Sequence, residues 1–279
     1  MTLTAYNHVP LPSFMYGTAW KKEATTQLVQ LAVASGFTAI DTANQLIHYR
    51  EALVGEALQA LEKKGIKRDT LFLQTKFTPV GGQGGQAPYD PSADLTTQVR
   101  QSFDSSLTHL GTEYVDSYVL HGPHSRRGLG EADWEVWAAI EGLYQSGKTK
   151  MIGISNVTAE QLTELCEEAK FKPMVVQNRC YAALGWDKEV REICQAHGII
   201  YQGFSLLTAN RDVLADPGVR IIAQRLGTGP AQVVFRFAMQ IGMLPLTGTT
   251  NQQHMKQDLQ AEQFTLSAEE IQRIEAIAL

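Results

Sequence analysis

Short β-branched or aromatic runs alternate with amphipathic stretches along the whole chain. Eight runs predict strands: Ser13–Tyr16, Phe37–Asp41, Leu71–Lys76, Val115–His121, Met151–Ser155, Met174–Gln177, Ile199–Phe204 and Met243–Thr247. They are mostly apolar rather than alternating, the pattern of parallel strands covered on both faces. Between them the spacing turns helical: Val54, Ala57, Leu58 and Leu61 share one face, as do Leu162, Leu165, Cys166 and Ala169. Gly36, Gly111, Gly147 and Gly198 stand where a left-handed residue would close a helix. Eight β units alternating with helices, with no charged or Pro-rich linker, predict one α/β domain over residues 1–279, a closed (βα)8 TIM barrel. An open doubly wound sheet is the alternative, but a GxGxxG fingerprint between an early strand and its helix is missing. Val80–Pro91 (VGGQGGQAPYDP) is too Gly-rich for a helix or a central strand. It reads as a long loop over the C-terminal rim of the barrel, where active sites lie.

Composition narrows the function classes. Of 279 residues, 44% are apolar and 19% charged, the balance of a globular protein. Lys and Arg number 24 against 29 Asp and Glu, and the net charge of −5 argues against a nucleic-acid partner. No apolar run nears the roughly 20 residues that span a bilayer, and Met1–Tyr16 lacks the order of a secretory signal, so no membrane partner is expected. Cys166, Cys180 and Cys194 form no CxxC and cannot all pair internally. That favours a reducing, cytoplasmic setting and argues against a zinc or iron–sulfur framework, so no metal is expected.

The strand ends carry the candidate chemistry. They read Gly17-Thr18, Asp41, Lys76, His121, Ser155-Asn156, Gln177, Phe204-Ser205 and Thr247-Gly248. A single ionisable residue in such a place is ordinarily an ion pair or a cap. Three of them, Asp41, Lys76 and His121, converging on one rim point to a site. An ammonium beside a phenol is expected to stabilise phenolate and lower the phenol pKa, and a carboxylate would hold the ammonium in place. An imidazole would orient a substrate carbonyl. Such a set suits carbonyl reduction with hydride from a nicotinamide.

The segments GFTAIDTAN…EALVGEAL, LFLQTKF, SSLTHLGTEYVDSYVLHGP, GISN, VVQN and LPLTGTTNQQHMKQDL together resemble an aldo-keto reductase, in order from Gly17 nearly to Leu279. The resemblance implies a (βα)8 barrel that reduces aldehydes or ketones with NADPH, through an Asp, Tyr, Lys and His tetrad. Asp41, Lys76 and His121 match three tetrad positions. Ser155, Asn156 and Gln177 match the residues that hold the nicotinamide carboxamide, and Phe204 the aromatic stacked on its ring. Ser205 and Leu207 fall in the pyrophosphate segment, and Thr249, His254, Gln257 and Asp258 in the adenosine segment. Gly17, Thr18, Asp41, Thr247, Gly248 and Thr250 complete the implied cofactor lining. Trp20 resembles a substrate-pocket aromatic, although packing would equally explain it.

Three departures matter. The family tyrosine lies five residues after the aspartate, which here is Leu46. Counted back from Val54-Gly55 the position falls on His48, with Tyr49 next. The segment is two residues longer than in the family, and Tyr49 is its only phenol, so Tyr49 is the expected general acid and His48 the runner-up or a pocket residue. Next, Gly248 replaces the lysine that often meets a cofactor 2′-phosphate, and His254 stands for an arginine. NADPH remains the expected cofactor, with NADH the alternative: Asn251 would cap a helix to Leu259 whose N–H groups face the phosphate, and preference would weaken as His254 loses its proton. Finally, the chain stops just after a helix expected over Ser267–Ala278, without the family's extended substrate loop. The expected partner is a small-molecule carbonyl substrate, and the expected state a monomer or weak homodimer.

Rival readings are a Schiff-base aldolase on Lys76, a metal hydrolase on Asp41, His48, His121 and His124, and a cofactor-bearing regulatory subunit with little turnover. Other residues have plainer roles. Trp134 and Trp137 anchor a helix, His8, His109 and His197 are exposed or capping, and Arg126-Arg127 is a solvated loop.

Overall fold

The computed structural model describes residues 2–277, and in it the eight predicted runs close into one parallel barrel. A hairpin of β1 (Thr2–Thr4) and β2 (Pro10–Pro12) comes first; at three residues each, its strands are too short to show a pattern in the sequence. The barrel strands are β3 (Met15–Gly17), β4 (Ala39–Asp41), β5 (Phe72–Phe77), β6 (Val115–Leu120), β7 (Thr149–Ser155), β8 (Val175–Arg179), β9 (Ile200–Phe204) and β10 (Met243–Thr247). Each pairs with the next, and β10 returns to β3 with Leu246 opposite Met15 and Thr247 opposite Tyr16. Nearly every residue of β4 to β8 is buried, which is why these runs lack alternation.

The helices bury the predicted faces. In the helix Glu51–Glu62 the side chains of Val54, Ala57, Leu58 and Leu61 are buried, and in Ala159–Glu168 those of Leu162, Leu165 and Cys166. All four glycines expected after helices have φ between 63° and 116°. Trp137 is buried and donates to the Phe171 carbonyl at 3.3 Å. The last helix spans Ala268–Glu275 with Ser267 as its cap, while Met1, Ala278 and Leu279 lie outside the described residues.

Two expectations need correction. Val80–Gln83 forms one helical turn despite Gly81 and Gly82. Tertiary hydrogen bonds outweigh the glycine entropy cost: buried Gln83 donates to the Asn44 and Thr78 carbonyls, and Gln45 donates to the Gly82 carbonyl at 2.6 Å. His109 is neither free nor a simple cap. Its Nδ1 lies 3.0 Å from Oε2 of buried Glu51, whose other oxygen accepts from Thr75. This link ties the helix Glu51–Glu62 to the helix Leu95–Leu110.

The Glu51 hydrogen bond raises the His109 pKa, with burial opposing it. A folded-state pKa above the unfolded value gives stability that is full below about pH 6.5 and is lost as pH rises through the folded value. His109→Gln is therefore expected to lower Tm most near pH 5.5, with the gap to wild type narrowing by about pH 8.5. A gap that is constant over this range would exclude the charged pair.

Candidate active site

The C-terminal strand ends open into a cavity of about 1160 Å³. Most of the predicted residues line it: Gly17 and Trp20 after β3, Asp41 on β4, His48 and Tyr49 beyond it, and His121 after β6. Ser155, Asn156, Gln177, Phe204, Ser205, Leu207, Thr247, Gly248, Thr249, His254, Gln257 and Asp258 line it as well. Lys76, Thr18 and Thr250 do not line it. Lys76 sits beneath the floor, Thr18 donates to the Asp41 backbone carbonyl, and Thr250 is exposed.

Beneath the floor, Lys76 Nζ donates to Asp41 Oδ1 at 2.7 Å, Asp41 Oδ2 at 2.8 Å and the Thr42 carbonyl at 2.8 Å. Three acceptors match the three protons of an ammonium. Burial lowers the Lys76 pKa, and Asp41 opposes that by charge and hydrogen bonding. Its Nζ stands 5.2 Å from the centre of the Tyr49 ring. The Tyr49 ring is 6.0 Å from that of His121.

The longer segment after β4 explains which residue reaches this cluster. The His48 and Tyr49 amides both donate to the Gln45 carbonyl, closing a tight turn. Leu46 and Ile47 are thrown outward, 49% and 48% exposed, while Tyr49 turns in and is 9% exposed. His48 packs instead on Trp20, ring centres 4.3 Å apart, and its Nδ1 lies 2.8 Å from Gln45 Oε1. Trp20 is 63% exposed, so it is a rim residue rather than core packing.

The electrostatics differ from expectation. Burial, then the Asp41 carboxylate, push the Tyr49 phenol above its ordinary range, whereas an unpaired ammonium at Lys76 would lower it. Burial is the larger cause, since the ring is almost wholly enclosed, and the Asp41 carboxylate adds to it. The phenol therefore carries its proton near pH 7, although a raised pKa makes it a weaker acid until a ligand changes its surroundings. Burial, followed by the charges of Lys76 and His48, pushes His121 down to about 3, so its ring is neutral near pH 7. Its Nδ1 is 2.7 Å from Thr78 Oγ1.

The far end of the cavity also departs from the simple picture. The Asn251 side chain caps the helix Gln252–Leu259 by accepting from the Gln253 and His254 amides at 2.8 and 3.2 Å. Those amides are thus already satisfied rather than open to an anion. Buried Asp258 accepts from Gln232 and Thr247, each at 2.9 Å, and burial raises its pKa to about 6. Two cations at the cavity are not evident from the sequence. Lys21 Nζ donates to the Gly248 carbonyl, and a Cβ on Gly248 would stand 3.2 Å from that nitrogen. Lys21 thus fills the place left by the glycine. Its one signal in the sequence is a lysine just beyond the first strand end. Exposed Arg179 lies over the Phe204 ring at 5.5 Å, at the end of β8.

Trp20, Asn156 and Ser205 adopt left-handed φ of 63°, 54° and 58° at the cavity. Such strain in non-glycine residues clusters at functional sites. Among the described residues, no three His, Cys, Asp or Glu side chains form a metal-binding group, and no helix is long and apolar enough to cross a membrane.

Fold and site together define a (βα)8 barrel with its polar chemistry gathered on the C-terminal rim. The chain belongs to the aldo/keto reductase family of oxidoreductases, whose family model matches residues 13–279. It is 31% identical over 278 residues to the uncharacterized oxidoreductase YtbE of Bacillus subtilis, covering 98% of this chain and 91% of that protein. It is 29% identical to an NADPH-dependent alpha-keto amide reductase of Saccharomyces cerevisiae, covering 100% and 90%. An aldo/keto reductase structure from Brucella melitensis superposes with a TM-score of 0.85 at 26% identity, covering 99% and 98%.

Proposed function

We propose that this protein reduces an aldehyde or ketone to an alcohol with NADPH. The observation that carries the reading is the convergence of Tyr49, Asp41 and His121 at the floor of one large cavity, with Lys76 just beneath them. The lining suits a nicotinamide dinucleotide. Among the described residues, no protein donor reaches Gln177 Oε1, and Asn156, whose Nδ2 is held by the His121 carbonyl, presents Oδ1 in the same way. When bound, the nicotinamide supplies the hydride. Tyr49 gives its proton to the carbonyl oxygen, and the neighbouring ammonium of Lys76 favours the phenolate left behind. In the tautomer in which Thr78 Oγ1 donates to Nδ1, neutral His121 carries its proton on Nε2 and orients the carbonyl. The aldolase reading is disfavoured because Lys76 is off the cavity wall and its three donors are engaged. Three buried thiols agree with a cytoplasmic setting.

The test is calorimetric titration with NADPH, followed by NADPH consumption over aldehydes, ketones and alpha-keto amides. Binding and turnover are expected. A protein that binds NADPH but turns over no carbonyl would instead be a cofactor-bearing subunit.

Lys21 supports the choice of the phosphorylated cofactor, because it stands on the cavity wall beside Gly248, where a cation can meet a phosphate. Lys21→Ala is expected to weaken NADPH binding about ten-fold and NADH binding far less, one charge-assisted contact in size. Equal weakening of both would place Lys21 at a phosphate they share.

A further inference from the structure

The end of β8 carries a cation that the proposed reaction does not use. Alternate residues of a strand share a face. On β8, Gln177 turns into the barrel, where its Nε2 donates to Asp41 Oδ1 at 3.1 Å, while Asn178 turns away to bond the Val157 backbone and Asp187. Arg179 therefore points inward again, two residues and about 7 Å nearer the rim. Among the described residues it is the one arginine on the cavity wall.

Nothing in the protein neutralises this guanidinium. Among the described residues no carboxylate pairs with it, and its one hydrogen bond is a long one, 3.4 Å from Nη1 to the Tyr181 hydroxyl. The two carboxylates on the cavity wall are engaged elsewhere, Asp41 with Lys76, and Asp258 with Gln232 and Thr247. Most donors of a planar fork are thus open to the cavity, an arrangement that matches a carboxylate.

Position in the barrel separates this cation from the cofactor phosphates. In the dinucleotide reading the nicotinamide lies on Phe204 of β9, and the phosphates run past Ser205 and Leu207 to the segment after β10. β8 flanks β9 on the side away from β10. Arg179, with Cζ 5.5 Å from the centre of the Phe204 ring, is rooted on that side. β8 also faces β4 across the eight-stranded barrel, and Tyr49 stands just beyond β4. A substrate with its carbonyl at Tyr49 and His121 would reach Arg179 with its far end.

We propose that Arg179 is a specificity residue that pairs with a carboxylate on the substrate, so that the protein favours oxo acids, with the acid several bonds from the carbonyl, over neutral carbonyl compounds. This rests on the carbonyl-reduction reading above and adds the class of substrate. Trp20 and His48, with ring centres 4.3 Å apart on the β3 and β4 side, border the body of such a molecule.

The experiment measures kcat/KM with NADPH for 4-carboxybenzaldehyde and for its methyl ester, which lacks the charge. Wild type, Arg179→Gln and Arg179→Lys are compared. The acid-to-ester ratio is expected to fall about ten-fold in Arg179→Gln, the worth of one charge-assisted contact, and to fall through KM rather than kcat. Arg179→Lys keeps the charge without the fork and should retain part of the ratio. Added salt should shrink the ratio in wild type and leave it nearly constant in Arg179→Gln. NADPH affinity by calorimetry should stay within about two-fold throughout. An unchanged ratio in Arg179→Gln would overturn the proposal while leaving the reduction reading in place. So would a loss of NADPH affinity that slows both aldehydes alike, which would put the guanidinium on the cofactor. A wild type that binds NADPH and reduces neither these nor any other carbonyl would instead remove the reduction reading, and the proposal with it.

Discussion

Lys76→Met is expected to lower kcat by about a hundred-fold or more, because the cation beside the Tyr49 ring is lost. The effect on stability should be large as well. Asp41 is buried, and its carboxylate receives two of its four hydrogen bonds from Lys76. Removing one member of a buried ion pair costs about 3–5 kcal/mol, since the other is left uncompensated. The Gln74 and Gln177 amides remain as donors to Asp41, which favours the low end of that range. Asp41→Ala should be equally inactive for the complementary reason. Burial already pulls the Lys76 amine down, and without Asp41 little would hold its proton. The double variant should be hardly worse than either single one, because the two residues act as a unit. Steady-state kinetics and calorimetric Tm on the three variants check this. Wild-type kcat in either single variant would refute the role given to the pair.

Gly55→Ala is expected to give the largest change in folding. A Cβ there would lie 1.9 Å from the His109 carbonyl oxygen, 2.9 Å from its carbon and 3.0 Å from Leu110 Cα. All three are backbone atoms, so no side chain can swing away. The helices Glu51–Glu62 and Leu95–Leu110 would have to separate, weakening the Glu51–His109 link as they do. Overpacking of this kind costs about 3 kcal/mol or more, or a fall in Tm of about 10 °C. Gly142 lies in the helix Glu131–Gln145, and a Cβ there would meet nothing within 4 Å. Gly142→Ala should therefore be neutral or up to about 1 kcal/mol stabilising. Thermal unfolding of both variants separates the close approach from mere loss of glycine. Equal Tm values would contradict it.

The barrel is legible in the sequence because buried parallel strands leave apolar runs, and their polar final residues mark one rim. Asp41, Lys76 and His121 stand out for that reason. Lys21 does not, because its closeness to Gly248 arises only when β10 pairs with β3 at the barrel seam. Gln74 and Gln202 are equally hidden: they are single polar residues inside apolar strands, brought together across the barrel interior. The helical turn at Val80–Gln83 depends on hydrogen bonds from Gln45 and to Asn44, which local propensity does not encode. The segment Thr42–Arg50 shows both sides. Its extra length is visible, but which ring turns inward depends on the turn at Gln45 that exposes Leu46 and Ile47.

That turn places a phenol, not an imidazole, over the buried lysine, and one comparison tests it most directly. Tyr49→Phe and His48→Ala should be assayed for kcat/KM on one aldehyde, with NADPH affinity measured separately by calorimetry. Both variants are expected to bind NADPH, with Tyr49→Phe losing about a hundred-fold or more in turnover and His48→Ala staying within about ten-fold of wild type. An active Tyr49→Phe beside an inactive His48→Ala would contradict it.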